Sequence, residues 1–328
     1  MNPGIRKKPS IIALLGPFFR LVRWPNLFFI GLTQCLFYFC ILIPSLYQDS
    51  SVGYTDIHSL TLSLFFLLSL SSVLIAAAGY IINDYFDLNI DRVNKPDRLV
   101  VDRMIKRRWA ILWHWILSGI GVVLGFYVSW KIRNPVVGLA NLGCVVLLWF
   151  YSTTFKRKLL IGNVIISLLT AWVILVLYIC EFRFALFRNP EFHRQFSRAF
   201  KFAILYAGFA FIISLIREVI KDIEDMDGDA RYGCRTMPIV WGVNSAKVFA
   251  ATWLVVLIGC LVIIQFYVLQ YGLLLIIPYC LFLLILPLIW ILRKLYSARV
   301  PADYHSLSTL VKGVMLIGIL SMIIVKIV

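Results

Sequence analysis

Acidic, histidine and paired cysteine residues are scarce in this 328-residue sequence, and each scarcity excludes a class of site. The 16 Asp and Glu face 32 Lys and Arg, which gives a net charge of +16. The four histidines are scattered, without the pairing that a metal or haem site built on histidine needs. The seven cysteines include no C-x-x-C pair, and all but Cys234 lie inside apolar runs. They are therefore expected to be small buried apolar residues and not disulfides or metal ligands.

Charge is also missing from long stretches, which indicates an integral membrane protein. Hydrophobic residues make up 61% of the chain and the mean hydropathy is +0.89, whereas soluble domains are roughly 45–50% apolar. The lysines and arginines lie between the apolar runs. They therefore fit anionic lipid headgroups or an anionic substrate better than nucleic acid.

Apolar runs long enough to cross a bilayer number nine, since a span needs about 20 apolar residues. With few strand-type alternations, we expect an all-α integral membrane protein, with nine transmembrane helices in one bundle and two acidic motifs on cytoplasmic loops. Residues 1–25 are predicted to form an amphipathic N-terminal segment without a signal-peptide cleavage site, and 26–328 a single domain. Residues 270–272 predict a tight hairpin, and Lys312 is the one clear charge inside a span. The predicted spans are 26–46, 59–82, 109–130, 135–155, 159–180, 200–216, 248–270, 271–292 and 306–325.

The basic residues between spans predict the orientation. With the N-terminus inside, the inner segments carry 23 Lys and Arg and the outer segments carry 8, although the outer loop 181–201 runs against the bias. By the positive-inside rule, the N-terminus and both acidic segments should be cytoplasmic. The protein is then expected to be multi-pass, in the plasma membrane if the source is prokaryotic.

The first acidic cluster follows the uncharged run 59–82. Asn83, Asp87 and Asp91 recur every fourth residue, so on a helix they share one face. Asp84 would point about 100° away from that face. Of the 16 acidic residues, 11 fall in this cluster, 84–102, or in a second one at 218–229.

The second cluster also follows an apolar run and also forms a helical stripe, with spacings of 4, 3 and 4. Its members are Glu218, Asp222, Asp225 and Asp229. Crowded carboxylates repel each other unless a cation joins them. Mg²⁺ takes oxygen ligands and characteristically bridges one or two carboxylates to substrate phosphates. Two facing clusters thus predict a Mg²⁺–diphosphate site.

Other residues complete this predicted site. The apolar, aromatic-rich bundle behind it suits a hydrocarbon tail, and a diphosphate with such a tail is a prenyl diphosphate. Four basic residues are predicted to contact the diphosphate: Arg98, Arg103, Lys156 and Arg235.

At this point the sequence resembles the UbiA-type intramembrane prenyltransferases. Residues 83–91 match their N-D-x-x-D-x-x-x-D motif, and 225–229 match their second motif, D-x-x-x-D. Residues 20–26, 151–156 and Asn163 extend the resemblance, as does the layout of nine helices. The resemblance implies Mg²⁺-assisted ionisation of a prenyl diphosphate to an allylic cation, followed by capture by an acceptor.

The resemblance also implies roles for individual residues. Asn83, Asp87, Asp91, Asp225 and Asp229 would hold Mg²⁺–diphosphate. Asp222 would assist, and Asp84 matches the motif as a substrate-binding position. Tyr151, as a catalytic residue, and Ser152 would lie near the substrate, and Lys156 near the diphosphate.

The acceptor is less defined than the chemistry. Residues 90–98 resemble the branch that prenylates glycerol-phosphate lipids, such as geranylgeranylglyceryl phosphate, where I-D-x-x-N-x-P-x-R recurs. The chain departs from that branch at 99–103, where P-x-P-S-G is usual. The alternative acceptor is an aromatic quinone precursor, hydroxybenzoate or dihydroxynaphthoate.

Simpler interpretations stay open. The acid clusters could be a solvated charge belt paired with neighbouring bases. Tyr151 could be an interfacial anchor, Asn163 a helix-to-helix hydrogen bond, and Lys156 a topology signal. Lys312 could snorkel. Two rival functions are a CDP-alcohol phosphotransferase and a transporter or channel. Residues 227–231 resemble the phosphotransferase motif but are one residue short of it.

Overall fold

The structure, a computed structural model, describes residues 11–47, 59–94, 99–182, 190–270 and 274–327. Within these ranges the chain is helical, without strands. Residues 271–272 of the predicted hairpin and 183–189 of the predicted outer loop 181–201 lie outside the described residues, and the rest of that loop, from residue 190, is helical. The twelve helices are α1 (Ile11–Leu21), α2 (Trp24–Leu46), α3 (Leu62–Asn94), α4 (Arg107–Lys131), α5 (Pro135–Thr153), α6 (Ile161–Glu181), α7 (Pro190–Glu224), α8 (Met226–Arg231), α9 (Met237–Val240), α10 (Val243–Gln270), α11 (Ile276–Ser297) and α12 (Pro301–Ile327).

Nine of the described helices are long and apolar enough to cross a membrane. They are α2 to α7 and α10 to α12, so the predicted count and the all-α class are confirmed. The helices α1, α8 and α9 are shorter and lie at the ends of spans. The chain is thus an integral, multi-pass membrane protein.

Helix α3 is longer than the predicted span and carries the first acidic motif. Residues 83–94 contain neither Gly nor Pro, so nothing in the sequence ends the helix when the apolar run does. Its 33 residues make it about 50 Å long, whereas the hydrocarbon core is about 30 Å thick. The prediction that this motif lies on a loop is therefore wrong: the motif lies on the extended end of a helix.

The second acidic cluster, 218–229, is divided between two helices. Helix α7 ends at Glu224, Asp225 leaves the helical conformation (φ −95°, ψ 5°), and the short α8 follows. The predicted single stripe of four acids is therefore broken at Asp225, with Glu218 and Asp222 before the break and Asp229 after it. The break lets the end of the motif turn towards α3, which α8 contacts.

The bundle is closed, because its last helix packs on its first span. Helix α3 packs against α4, α5 and α2, α7 packs against α6, α10 and α12, and α12 returns to α2. One apolar core lies in the half of the bundle that contains Phe37 and Phe196, and a second joins α7, α10, α11 and α12. A third core packs α1 and α4 against the middle of α3.

Two buried polar features fix α3 in the bundle. A Cβ at Gly121 of α4 would lie 2.8 Å from Ile75 Cγ1, so only glycine allows this close approach, and Ser71 Oγ donates to the Gly121 carbonyl at 2.7 Å. Near the start of α3, Ser59 and Leu60 donate their N–H groups to the buried Glu181 carboxylate, each at 2.9 Å. Glu181 thereby satisfies backbone donors that precede the helix.

Candidate active site

A cluster of polar side chains, called the chamber below, lies where the ends of α3, α5 and α7 meet. Asn83 Nδ2 donates to Asp87 Oδ2 at 2.7 Å, one turn further along α3. Lys156 lies against the same pair: its Nζ forms an ion pair with Asp87 and is 3.4 Å from Asn83 Oδ1. The Lys156 and Asp87 side chains are 10% and 14% exposed. The chamber thus holds a cation and an anion in contact, largely removed from solvent.

Lys156 is held in place by its backbone environment. It lies in the single turn Phe155–Arg157 between α5 and α6. A Cβ at Gly162 would be 2.8 Å from Lys156 Cα. The start of α6 can therefore pack against this turn only because residue 162 is glycine. The Arg235 N–H also donates to the Arg157 carbonyl at 2.8 Å. The segment after α8 is thereby tied to the turn that carries Lys156.

Asn94 joins the two acidic motifs directly. Its Nδ2 donates to the Asp225 carbonyl at 3.0 Å, and its Oδ1 accepts from the Gly228 N–H at 2.9 Å. A Cβ at Gly228 would lie 2.2 Å from that oxygen, so any larger residue would displace the Asn94 side chain from this contact. The end of α3 and the start of α8 are therefore held together by two hydrogen bonds.

Carboxylates from both motifs converge on the same region. Asn163 Nδ2 donates to Asp222 Oδ2 at 2.8 Å, and Asp229 interacts electrostatically with Asp222. Burial raises the pKa of the Cys234 thiol to about 11, and the negative charges of Asp229 and Asp87 act in the same direction. Asp87 belongs to the first motif and Asp229 to the second, so carboxylates of both motifs lie near Cys234.

Tyr151 faces this region from α5, with Glu218, Asp87 and Asp222 as its electrostatic neighbours. It is half-buried, as expected for a residue beside a substrate. The next residue, Ser152, is buried, and its hydroxyl donates to the Leu148 carbonyl at 2.9 Å within the same helix. This hydrogen bond lies within α5, and the predicted contact of Ser152 with substrate stays a prediction.

Asp84 has a separate partner, as its position off the stripe predicts. Arg23 Nη2 is 2.7 Å from Asp84 Oδ1, and its guanidinium lies 5.2 Å from the centre of the Tyr80 ring. The Asp84 carboxylate raises the pKa of Arg23, and Asp91 acts more weakly in the same direction. Arg23 has a left-handed backbone (φ 51°) at the junction of α1 and α2. The turn at that junction thus presents a cation to the first motif.

Three of the predicted diphosphate contacts are not placed in the chamber. Arg98 lies outside the described residues, and Arg103 and Arg235 are exposed. Lys156 is the basic residue that the structure brings to the acids as predicted. Among the described residues, no three His, Cys, Asp or Glu side chains are grouped as a ready-made metal site. The five predicted metal ligands therefore stay a prediction.

Two residues of the chamber were not predicted, and one of them left a signal in the sequence. Asn94 continues the stripe of 83, 87 and 91 after a spacing of three, so helical periodicity could have identified it. Gly228 lies inside the second motif, but nothing in the sequence indicates that Asn94 lies against it. That contact is a product of tertiary packing.

Residues 41–312 match the profile of the UbiA prenyltransferase family. The match covers most of the chain, including both acidic motifs and the helices that carry them. The chain belongs to the UbiA prenyltransferase family. The resemblance of residues 83–91 and 225–229 is thereby confirmed at the level of the family.

Curated relatives are similar in sequence to part of this UbiA chain. It is 31% identical over 182 residues to the digeranylgeranylglyceryl phosphate synthase of Methanosphaera stadtmanae, over 56% of this chain and 59% of that protein. It is 31% identical over 194 residues to the synthase of that name from Methanothermobacter thermautotrophicus, over 58% and 62%. The matched region thus spans about three fifths of the length of these curated relatives.

Solved structures with the UbiA fold resemble the whole bundle. One, reported for digeranylgeranylglyceryl phosphate synthase in membranes, has a TM-score of 0.59 at 24% identity, over 94% of this chain and 98% of that one. A UbiA homologue from Archaeoglobus fulgidus bound to DMAPP and Mg²⁺ has a TM-score of 0.54 at 18% identity, over 94% and 99%. At these identities the similarity establishes the fold.

Proposed function

We propose that this UbiA protein transfers a prenyl group from a prenyl diphosphate to a glycerol-phosphate lipid such as geranylgeranylglyceryl phosphate. The observation that carries the proposal is the joining of the two acidic motifs by Asn94. Lys156 contacts the first of these motifs at Asp87, and Tyr151 has Asp87 and Asp222 as electrostatic neighbours. Family membership and the names of the relatives support the same reaction. A transporter or a CDP-alcohol phosphotransferase lacks such support.

The donor set fits Mg²⁺ of the kind that a substrate diphosphate completes. Mg²⁺ usually takes one or two carboxylates and fills its other positions with phosphate and water oxygens. Asn83, Asp87 and Asp91 supply such oxygens from α3, and Asp225 and Asp229 supply them from the second motif. The homologue solved with DMAPP and Mg²⁺ supports Mg²⁺ as the cofactor. Bound Mg²⁺ would neutralise diphosphate charge and so assist its departure.

The protein's own residues would bind the donor and stabilise its ionisation. Lys156, already in the chamber, would exchange part of its contact with Asp87 for a diphosphate oxygen. The ring of Tyr151 would face the allylic carbon, where an aromatic face stabilises positive charge. Asn163 holds Asp222, and Asn94 holds the second motif, so both act as positioning residues.

Capture by the acceptor then completes the transfer. The allylic C–O bond breaks with its electron pair leaving on the diphosphate, and an acceptor hydroxyl oxygen forms the new bond to that carbon. The hydroxyl proton is released to a carboxylate. We propose Glu218 for this role, since it is an electrostatic neighbour of Tyr151, although it also pairs with Arg217 and Lys221. The apolar bundle keeps water from the cation.

The test is a transfer assay with purified protein, Mg²⁺, a labelled prenyl diphosphate and a panel of acceptors. The panel contains geranylgeranylglyceryl phosphate, hydroxybenzoate, dihydroxynaphthoate and chlorophyllide, and mass spectrometry identifies the products. Transfer to the glycerol-phosphate lipid is expected. Transfer to an aromatic acceptor alone would assign the protein to quinone-precursor prenylation, and no transfer to any acceptor would refute the proposal.

We also propose that the chamber faces the cytoplasm. The basis is the excess of Lys and Arg in the segments on that side, 23 against 8. Residues 1–25 would then be a cytoplasmic amphipathic segment that leads into the domain of residues 26–328. Helix α1, which carries Arg20 in its last turn, belongs to this segment.

A further inference from the structure

A second group of charged residues lies on α7, next to the acidic stripe but on a different face. Glu218 and Asp222 are one turn apart, and Arg217 and Lys221 are one turn apart on the stripe about 100° away. Lys312 of α12 interacts electrostatically with both Arg217 and Lys221. The residue that stood out in the sequence as a charge inside a span therefore belongs to a basic cluster: Arg217, Lys221 and Lys312.

The contacts of this cluster leave positive charge uncompensated. Glu218 lies 2.9 Å from Arg217 and 3.4 Å from Lys221. Lys312 Nζ donates to the neutral Asn26 Oδ1 at 2.7 Å and lies 5.2 Å from the centre of the Phe29 ring. Asp222 of the acidic stripe also interacts electrostatically with Lys221, so among the described contacts three cations face two acids. The Arg217 Nε is buried and has no hydrogen-bond partner within the described residues. Like charges held together in this way favour an anion.

An apolar cavity continues from the cluster into the bundle. On α7 the basic stripe runs on through Ile213 to Tyr206, and on α12 the face of Lys312 runs on through Met315 to Met322. All four apolar or aromatic residues line the cavity, as does Phe29, which contacts Lys312. Three helix faces therefore combine a cationic end with an apolar interior. An amphiphile with an anionic head and a hydrocarbon tail matches this arrangement.

We propose that the basic cluster binds the phosphate of the acceptor lipid, with the adjoining cavity holding the start of its hydrocarbon chain. This inference rests on the proposed function. A phosphate monoester carries a charge of about −1.5 to −2 near pH 7, and it complements the net positive charge that the three cations keep beside Glu218 and Asp222. The cluster lies beside Glu218, which also faces Tyr151. A hydroxyl close to the bound phosphate would thus face the chamber where the allylic cation forms.

The site also gives a physical reason for acceptor selection. A hydroxybenzoate or dihydroxynaphthoate carries a single carboxylate on a rigid ring and has no chain for the cavity. A neutral glycerol lipid has the chain but would leave the three cations without an anion. The acceptor that satisfies both parts is a lipid phosphate.

The test compares Lys312→Met with two matched variants. Lys312→Arg keeps the charge at the same position, and Lys326→Met removes a charge from the exposed far end of the same helix. In Lys312→Met the KM for geranylgeranylglyceryl phosphate should rise by about tenfold to a hundredfold, the value of a lost charge-assisted hydrogen bond. The KM for the prenyl diphosphate should not change. Lys312→Arg should recover most of the loss, and Lys326→Met should behave as wild type.

A second readout separates the site from its structural surroundings. The dephosphorylated acceptor, geranylgeranylglycerol, should bind wild type weakly and lose nothing further in Lys312→Met. An unchanged KM for the phosphate lipid in Lys312→Met would overturn the inference. Equal losses for both acceptors would also overturn it, since Lys312 would then have a structural role.

Binding without the donor distinguishes failure of the site from failure of the proposed reaction. The probe is the change in thermal stability in detergent on adding geranylgeranylglyceryl phosphate, with phosphatidylglycerol as a bulk anionic lipid. Stabilisation by the first lipid alone, lost in Lys312→Met, supports the site even if no transfer occurs. Equal stabilisation by both lipids would identify a general anionic-lipid site and contradict the inference.

Discussion

The contact between Asn94 and Gly228 gives the sharpest prediction, because one added methyl group must break it. A Cβ at Gly228 would lie 2.2 Å from Asn94 Oδ1, whereas ordinary contacts begin at 3.4 Å. Gly228→Ala therefore has to push the Asn94 side chain aside or move α8 away from α3 by about 1 Å, and either response disrupts both hydrogen bonds. Two such bonds are worth about 1–3 kcal/mol in total. A displacement of about 1 Å at a catalytic site costs roughly 10²-fold in rate.

The assay is diphosphate release from a prenyl diphosphate, alongside thermal unfolding in detergent. Gly228→Ala should release diphosphate about a hundredfold more slowly than wild type and unfold at a lower temperature. The matched control is Gly259→Ala in α10, where an added Cβ meets nothing within 4 Å. That control should keep its activity and its stability.

A double-mutant cycle tests the reasoning itself. Asn94→Ala removes the atoms that the new methyl group would strike, so the Asn94→Ala/Gly228→Ala pair should be no worse than Asn94→Ala alone. Strictly additive losses would refute the claim that this contact holds the motifs together. Wild-type rates in Gly228→Ala would refute it as well.

Three further predictions concern the acids, the metal and the orientation. Asp87→Ala should lower diphosphate release about 10²–10³-fold with every acceptor. Asp84→Asn should lower it less, because Asp84 is paired with Arg23. Equal losses in two folded variants would contradict the assignment of separate roles. A chelator should abolish transfer and added Mg²⁺ or Mn²⁺ should restore it, and full turnover in excess chelator would exclude a Mg²⁺–diphosphate site. In a background without native thiols, single cysteines that replace Arg92 or Asp227 should not react with an impermeant maleimide applied to intact cells. Efficient labelling of either cysteine would contradict the proposed orientation.

The elements of the fold were predictable because their signals are local. A run such as 59–82, without a single charge, indicates a span whatever surrounds it. The stripe of Asn83 and Asp87 was likewise visible in the spacing, and the structure forms the hydrogen bond between them. The end of α3 was predicted too early because hydrophobicity marks the membrane boundary, whereas a helix continues until its backbone is interrupted.

Contacts between distant segments could not be read from the sequence. No Pro or Gly at residue 225 marks the break in the helix there. The Asp225 carbonyl instead accepts a hydrogen bond from Asn94 of another helix, a contact that the sequence does not indicate. Lys312 was interpreted in isolation because its neighbours, Arg217 and Asn26, lie far away along the chain. Local charge gives the composition of a site, and packing decides which charges meet.

The central claim is that the two acidic motifs form one site, and Asp225→Ala tests it most directly. The measurement is diphosphate release from a prenyl diphosphate by the folded variant, compared with Asp87→Ala and with wild type. A single site predicts that loss of either carboxylate slows release by about 10²–10³-fold. Near-normal release by Asp225→Ala, with Asp87→Ala inactive, would show that the second motif is a charged segment outside the site.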